Sequence, residues 1–404
     1  MSAWWTQSRQ RILLAILPFL VAASGGCKPA VQTWPIWEKY AARFISPEGR
    51  VIDPMRDSIT TSEGQSYALF FALVSNDRAR FDLLLKWTQD NLAAGSLNAH
   101  LPGWMWGKTK EGRWGMLDKG QAADSDCWIA YSLIEAGRLW QNDHYSQIGR
   151  AMMKRIAEDE VEDIPGFGSL LMPGPSENFI HIQAYAGQTH TEQIYTLNPS
   201  YMPHFLIARF AAIDPTGPWS AVAANIPRFL KQSARGGYAM DWVTYTPGTG
   251  FKPASGPAPP DPTKPAPPAF GSYDAIRVYL WAGMENPAGT ARSDLLAAVS
   301  GMAGYLANHG APPEKVSDEG IPILQDGPVG FSAAMLPYLR ALPQLGKSAM
   351  QQKQRIDAQL DPATGLYGKD PAYYDQNLIL FASGFDQKKF TFSPDGELKV
   401  QWTY

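Results

Sequence analysis

The chain has 404 residues, 45% hydrophobic and 12% aromatic, and a formal net charge of −3. A pI near 6.1 excludes the basic footprint of a nucleic-acid binder and suits a neutral extended substrate better than a polyanion. With only 2 cysteines, Cys27 and Cys127, a disulfide framework is excluded, so a large apolar core has to carry stability.

Residues 1–27 read as an export signal. Arg9 and Arg11 precede ILLAILPFLVAAS, an apolar run that ends in small residues. A spanning helix needs about 20 apolar residues, so no stable membrane insertion is expected, and the product is predicted to be periplasmic or secreted. Cys27 raises lipidation, but Ser24 stands where that motif wants leucine.

Residues 28–404 are expected to form one domain. Trp34, Trp37, Tyr40, Ala41 and Phe44 share one helical face. Thr60 and Glu63 have capping-box spacing before YALFFALV, which is apolar all round and therefore buried on every side. An amphipathic stretch follows at 78–92. The alternation then repeats: 126–140, 200–213, 273–284, 330–342 and 373–385 are buried in character. Residues 145–161, 219–232, 292–310 and 348–360 are amphipathic. Six buried helices alternating with six amphipathic ones predict an all-α fold, an inner ring inside an outer ring. Short strands are expected at 166–174 and 238–245, and a hairpin around Pro394-Asp395-Gly396. Residues 247–269 form a Pro-rich surface loop.

If outer and inner helices run antiparallel, every inner helix starts at one end. Glu63, then Asp124 and Asp126, then Asn198 and Tyr201, then Asp274 would converge on that rim. Taken singly, such residues are usually helix caps, and Asp126 is expected to be one. A carboxyl in a desolvated cleft can instead have its pKa raised and serve as a general acid. Trp104, Trp106 and Trp114 interrupt a polar, Gly-rich loop, where flat indoles can stack on sugar rings or plug the mouth of the fold. His100, His144, His181, His190, His204 and His309 lack zinc-ligand spacing, and neither a P-loop nor G-x-S-x-G occurs. No metal and no cofactor is expected.

The motifs EGRVIDP, TTSEGQSYA, SLIEAGRLW, NPSYMP, GSYDAIRVY and GPVGFSAAMLP resemble glycoside hydrolase family 8, most closely its exported branch associated with bacterial cellulose synthase. The resemblance implies an (α/α)6 barrel and an inverting endo-β-1,4-glucanase acting on β-1,4-glucan chains, working with the cellulose synthase complex. It implies Glu63 as proton donor and Asp274 as general base. Asp124, the signature aspartate, would distort the sugar; the family's nucleophile label for it does not fit inversion. Trp104, Trp106, Trp114, Asn198, Tyr201, Tyr273 and Arg277 would bind substrate. Ala123 and Ser125 depart from the family's signature, and residues 176–196 and the Pro-rich tract look long. Xylan, chitosan or mixed-linkage glucan remain alternative substrates, and a non-catalytic glucan-binding accessory is the alternative class.

Overall fold

Five of the six stretches expected to be buried fold as largely buried helices, because only a neighbour on every side hides such a surface; the third, 200–213, is a correction, since only Phe205, Leu206, Ile207 and Phe210 of its helix are buried. The computed structural model describes residues 34–184, 191–257 and 268–403, together with Met1. The expected export signal, with Cys27, and His190 lie outside the described residues. The elements below belong to one compact unit, Thr33–Tyr404.

In chain order the first helices are α1 (Pro35–Phe44), α2 (Ser62–Val74), α3 (Arg78–Leu92), α4 (Ala123–Leu139), α5 (Asp143–Asp159), α6 (His204–Ile213) and α7 (Trp219–Ser233). They are followed by α8 (Ala275–Met284), α9 (Arg292–Ala298), α10 (Ser300–Leu306), α11 (Val329–Ala341), α12 (Gly346–Asp357) and α13 (Tyr373–Asp386). In α2, every residue except Glu63 is buried. All of α8 is buried.

The six helices of those stretches follow one another by direct contact. Tyr67 of α2 meets Trp128 of α4 with ring centroids 6.0 Å apart, and Trp128 meets Phe205 of α6 at 6.0 Å. Phe205 meets Trp281 of α8 at 6.2 Å, and Tyr279 of α8 meets Tyr338 of α11 at 5.9 Å. Gly330 of α11 lies against Asp375 of α13. Phe381 of α13 returns to Tyr67 at 5.0 Å, which closes the circuit.

The strands are minor. β1 (Thr60–Thr61), β2 (Gly103–Lys108) and β3 (Trp114–Gln121) form one antiparallel sheet. β4 (Val161–Ile164) pairs with β5 (Gly168–Leu171). β6 (Ile180–Ala184), β7 (Thr191–Leu197), β8 (Trp242–Thr246) and β9 (Gly250–Ala254) make a second sheet. β10 (Lys315–Val316) pairs with β11 (Pro322–Leu324), and β12 (Phe390–Phe392) pairs with β13 (Leu398–Val400) around Pro394-Asp395-Gly396, the expected hairpin.

Four further expectations need correction. The tryptophan segment is not a loop but the hairpin β2–β3. The Pro-rich stretch begins as strand β9, and only its residues 258–267 lie outside the described ones. His181 is on strand β6 rather than in a loop. The helix expected over 292–310 breaks at Val299 and ends at Leu306. There the turn at Arg235–Gly237 presses its backbone against Ser300 and Gly301, so a straight helix has no room.

Close approach also fixes a glycine inside the ring. A Cβ on Gly283 of α8 would run into the backbone of Pro337 and Tyr338 in α11. Gly283→Ala is therefore expected to cost about 1–3 kcal/mol by overpacking. Gly304→Ala in α10 faces open space and should stabilise by about 0.5–1 kcal/mol. Urea unfolding of both variants checks this; equal effects would remove the packing argument.

Candidate active site

Arg277 lies in the first turn of α8 and is 1% exposed. Its Nη1 donates to Glu63 Oε2, to Asp124 Oδ2 at 3.1 Å and to the Tyr67 hydroxyl at 3.0 Å. Its Nη2 donates to Asp274 Oδ1 at 2.7 Å and to Ser200 Oγ at 2.9 Å. One guanidinium thus gathers three carboxylates from the starts of α2, α4 and α8. Its planar fork of donors is what permits the convergence.

Glu63 is the second residue of α2, but it does not close a capping box with Thr60. The cap is Thr61, whose Oγ1 accepts from Gly64 N at 3.1 Å. Thr60 instead sits in β1, accepting from Arg50 Nε at 2.8 Å. Glu63 Oε1 accepts from the Tyr373 hydroxyl at 2.7 Å, and its side chain is 24% exposed. The carboxylate therefore faces the site, not its own helix end.

Asp274 follows the same rule. It stands at the N-cap of α8 without a side-chain cap bond. Asp241 does that work from the neighbouring sheet segment, accepting from Ser272 N at 2.7 Å and Ala275 N at 2.8 Å. Asp274 Oδ2 is left to accept from Asn198 Nδ2 at 3.0 Å. Asn198 also caps the short 3-10 turn Pro199–Tyr201, which precedes α6; the third buried helix starts later than expected, at His204.

Asp124 is the most buried carboxylate of the three, 4% exposed. Desolvation pushes its pKa up to about 7, against the opposing pull of Arg277 and with a further push from Glu63. Its Oδ1 accepts from Ser125 N at 2.7 Å, and Ser125 Oγ meets Ser62 Oγ at 2.7 Å, tying the first turns of α4 and α2 together. Asp126 is not the cap of α4, which is Ala122; its carboxyl lies a turn into the helix and is fully buried.

Of the residues expected to bind substrate, Tyr201 lies with its ring 5.6 Å from the Arg277 guanidinium. Tyr273 is 43% exposed, and its hydroxyl donates to Glu314 Oε1 at 3.2 Å. Trp106 and Trp114 stack on each other at 5.2 Å, beside the Arg50 guanidinium, with Trp87 edge-on to Trp106. Thr60 pairs with Trp106 and Thr61 with Met105, and Trp104, half-buried, lies beside Gly120 of β3. The aromatic hairpin is thereby joined to the strand that runs into α2.

Tyr67, Tyr373, Ser200 and Asp241 were not singled out from sequence. Tyr67 had a signal: it follows Glu63 by four residues and shares its helix face. Asp241 had one too, as the lone charge in YAMDWVTY. Tyr373 enters from 310 residues away and had none. A second aromatic row runs from Tyr201 to Trp242 at 6.2 Å and on to Phe179, near parallel to Trp242 at 6.5 Å. Among the described residues, no group of three or more His, Cys, Asp or Glu side chains is placed to hold a metal ion, and no helix is long and apolar enough to cross a membrane.

Against known proteins, the family model described as glycosyl hydrolases family 8 matches residues 13–388. An endoglucanase of Escherichia coli strain K12 is 42% identical over 374 residues, 92% of each chain. One of Xanthomonas axonopodis pv. citri is 41% identical, covering 96% of this chain and 94% of the relative. The crystal structure of an endo-1,4-D-glucanase from Vibrio fischeri superposes with a TM-score of 0.80 at 36% identity, over 92% of this chain and 100% of that one. The endo-β-1,4-glucanase CMCax of Acetobacter xylinum, at 24% identity and a TM-score of 0.64 over 88% and 98% of the two chains, shares the fold.

Arg277→Met removes the shared cation and leaves buried carboxylates unpaired, a loss of about 3–5 kcal/mol. The sign with pH follows from linkage. Without the guanidinium the folded carboxyls hold protons that the unfolded chain releases, so the loss grows as pH rises above the ordinary carboxylate range. Unfolding at pH 5 and pH 8 should show the larger deficit at pH 8. A deficit independent of pH would mean that Arg277 acts by packing alone.

Proposed function

The chain belongs to glycosyl hydrolases family 8 and is a glycoside hydrolase, and from that premise we propose that it is an endo-β-1,4-glucanase that hydrolyses with inversion. The observation that carries this reading is that Glu63 and Asp274 are both released from helix capping and held on different nitrogens of one guanidinium. Inversion needs acid and base about 6.5–9.5 Å apart, with a water between base and sugar. Carboxylates bridged by a guanidinium, rather than touching, suit that requirement. We read the closed circuit of six helices, with the amphipathic ones outside it, as an (α/α)6 barrel.

In the step itself, Glu63 gives its proton to the glycosidic oxygen as the bond from that oxygen to the anomeric carbon breaks. Water attacks the anomeric carbon from the opposite face, and Asp274 takes the proton that water sheds. The enzyme ends with Glu63 ionised and Asp274 protonated, and exchange with solvent resets both. Asp124 binds and distorts the sugar at the cleavage point. Asp124 Oδ2 and Glu63 Oε2 share Nη1 of Arg277, so a proton held by this cluster near neutral pH has a short route between them. The Trp104–Trp106–Trp114 hairpin and the Tyr201–Trp242–Phe179 wall flank the acid and the base as sugar platforms. Residues 1–27 would direct export to the periplasm, 28–404 would be the catalytic domain, and the glucan trimmed would be that made by a cellulose synthase complex.

Glu63→Gln keeps the shape of the side chain and can still accept from Tyr373. It is expected to fold and bind glucan while losing nearly all turnover on soluble β-1,4-glucan. Substantial reducing-sugar release by this variant would end the proton-donor reading. NMR of the first product should show the α-anomer; a β-anomer first would require a covalent intermediate. Release from xylan, chitosan or mixed-linkage glucan but not from β-1,4-glucan would move the substrate assignment within the same fold.

The hairpin gives an asymmetric expectation. Trp114 is 51% exposed, so Trp114→Ala should raise KM several-fold and leave Tm nearly unchanged. Trp106, wedged between Trp87, Trp114 and Arg50, should lose stability as well as binding when cut to Ala. Equal loss of Tm in both variants would make the pair a structural plug.

A further inference from the structure

One turn behind Asp124, α4 carries a second acid that the proposed chemistry does not use. Asp126 and Glu160, the residue just after α5, are both 0% exposed. Among the described residues, no N–H or hydroxyl of any other side chain or backbone donates to either carboxyl. All four carboxyl oxygens are left without a donor, and the two acids lie close enough for each to perturb the other, so a bond between them takes a proton. Two ionised carboxylates in contact without a cation or water would repel in a low-dielectric interior.

The backbone around the pair is a junction. Glu160 O accepts from Met172 N at 2.7 Å, and the next residue's carbonyl, Pro173 O, accepts from Ala123 N at 3.0 Å. Residues 172–173 thus strap the end of α5 to the first turn of α4. That turn presents Asp124 to Arg277 and Ser125 to Ser62.

We propose that Asp126 and Glu160 form a one-proton clasp that positions Asp124, holding the first turn of α4 against the end of α5 only while their shared proton is kept. Asp126 and Glu160 are positioning residues; neither touches the cluster on Arg277. The part of this that concerns turnover rests on the hydrolase reading of Asp124, whereas the shared proton does not.

The groups facing the pair are all acidic or neutral. Asp124 and Cys127 approach from α4 and Asp159 from α5, and no cation is among them. Desolvation raises both acids: Asp126 well above the carboxylate range, with a further push from the Glu160 charge, and Glu160 up to about 8. The folded protein therefore binds protons that the unfolded chain has released. Stability contributed by the clasp is fully present in the carboxylate range and falls as pH rises through the raised pKa values of the pair, first that of Glu160 at about 8 and then that of Asp126. As the proton leaves, α4's first turn is pushed off, and Asp124 goes with it.

Asp126→Asn tests this, because an amide donates the same bond to an ionised Glu160 with no proton to lose. In infrared spectra the wild type should show the carbonyl stretch of a buried protonated carboxyl at neutral pH, lost on alkalinisation. Asp126→Asn should lack that band, unfold with a shallower dependence on pH, and shift the alkaline limb of kcat/KM upward by about one pH unit. Glu160→Gln, with the amide on the other side, should do the same and serves if the first variant fails to fold. A wild type without the band, or an unchanged alkaline limb in a folded amide variant, would overturn the proposal. Absence of activity on every glucan would defeat the hydrolase reading instead and leave the infrared and unfolding results to decide the clasp.

Discussion

The site depends on the burial of one guanidinium. Arg277 sits at 1% exposure among three carboxylates, two hydroxyl donors or acceptors and an aromatic ring. Desolvating an arginine costs several kcal/mol, and only an array of charge-assisted bonds offsets it. The carboxylates have the converse need. Glu63 and Asp124 reach Arg277 from 214 and 153 residues away in sequence, and without it their negative charges would be gathered with no counter-ion. Each side of the bargain makes the other tolerable, and the first turns of α2, α4 and α8 have to meet at one point for it to hold.

Holding helix ends together normally occupies the acidic residues at those ends. Here that duty falls on neighbours. Thr61 caps α2, so Glu63 is spared; Asp241 satisfies the N–H groups at the start of α8, so Asp274 is spared. Asp124 spends one oxygen on Ser125 N and keeps the other for Arg277. A capping residue one position earlier, or supplied from another element, is what turns a cap-like acid into a reactive one. The clasp behind α4 extends this logic one layer further out.

Much of this was legible in the chain. Helix burial was readable because apolar residues all round a helix have no arrangement other than enclosure, and α2, α8 and α13 follow the pattern. Glu63, Asp124 and Asp274 were readable as a convergent set, since alternation sends their three helices in one direction. What escaped depends on register and on distant partners. Capping-box spacing pointed to Thr60, but two residues of strand pairing, Thr60 with Trp106 and Thr61 with Met105, move the cap to Thr61. The tryptophan segment reads as a loop because its glycines break an alternation that the β2–β3 register tolerates through irregularities near Met105. Asp126 reads as a cap in sequence because the acid it faces, Glu160, lies beyond α5.

The polarity of the helix ring explains why the chemistry is at this end. The starts of α2, α4, α8, α11 and α13 bring partial positive charge to one pole, where it supports carboxylates. Their ends bring partial negative charge to the other, and cations and N–H donors collect there; α6 starts on that side, with His204 Nδ1 3.1 Å from Glu285 Oε1 just after α8. Arg138 and Arg209 flank the buried Glu135 of α4 at 2.6 and 2.7 Å, and the Leu398 amide completes that carboxylate's shell. Arg292 donates to the Glu285 carbonyl after α8, and Trp402 Nε1 to the Leu73 carbonyl near the end of α2, at 3.3 Å. The C-terminal hairpin covers this pole, with Phe392 stacked on Phe205 at 4.0 Å and the Gly396 carbonyl taking the Tyr131 hydroxyl at 2.8 Å. A β-turn glycine with φ of +74° seated on Phe205 leaves no space there for a side chain, let alone a sugar chain. The hairpin therefore packs on one pole through apolar and hydrogen-bonded contacts, and the three carboxylates gathered on Arg277 stand at the other.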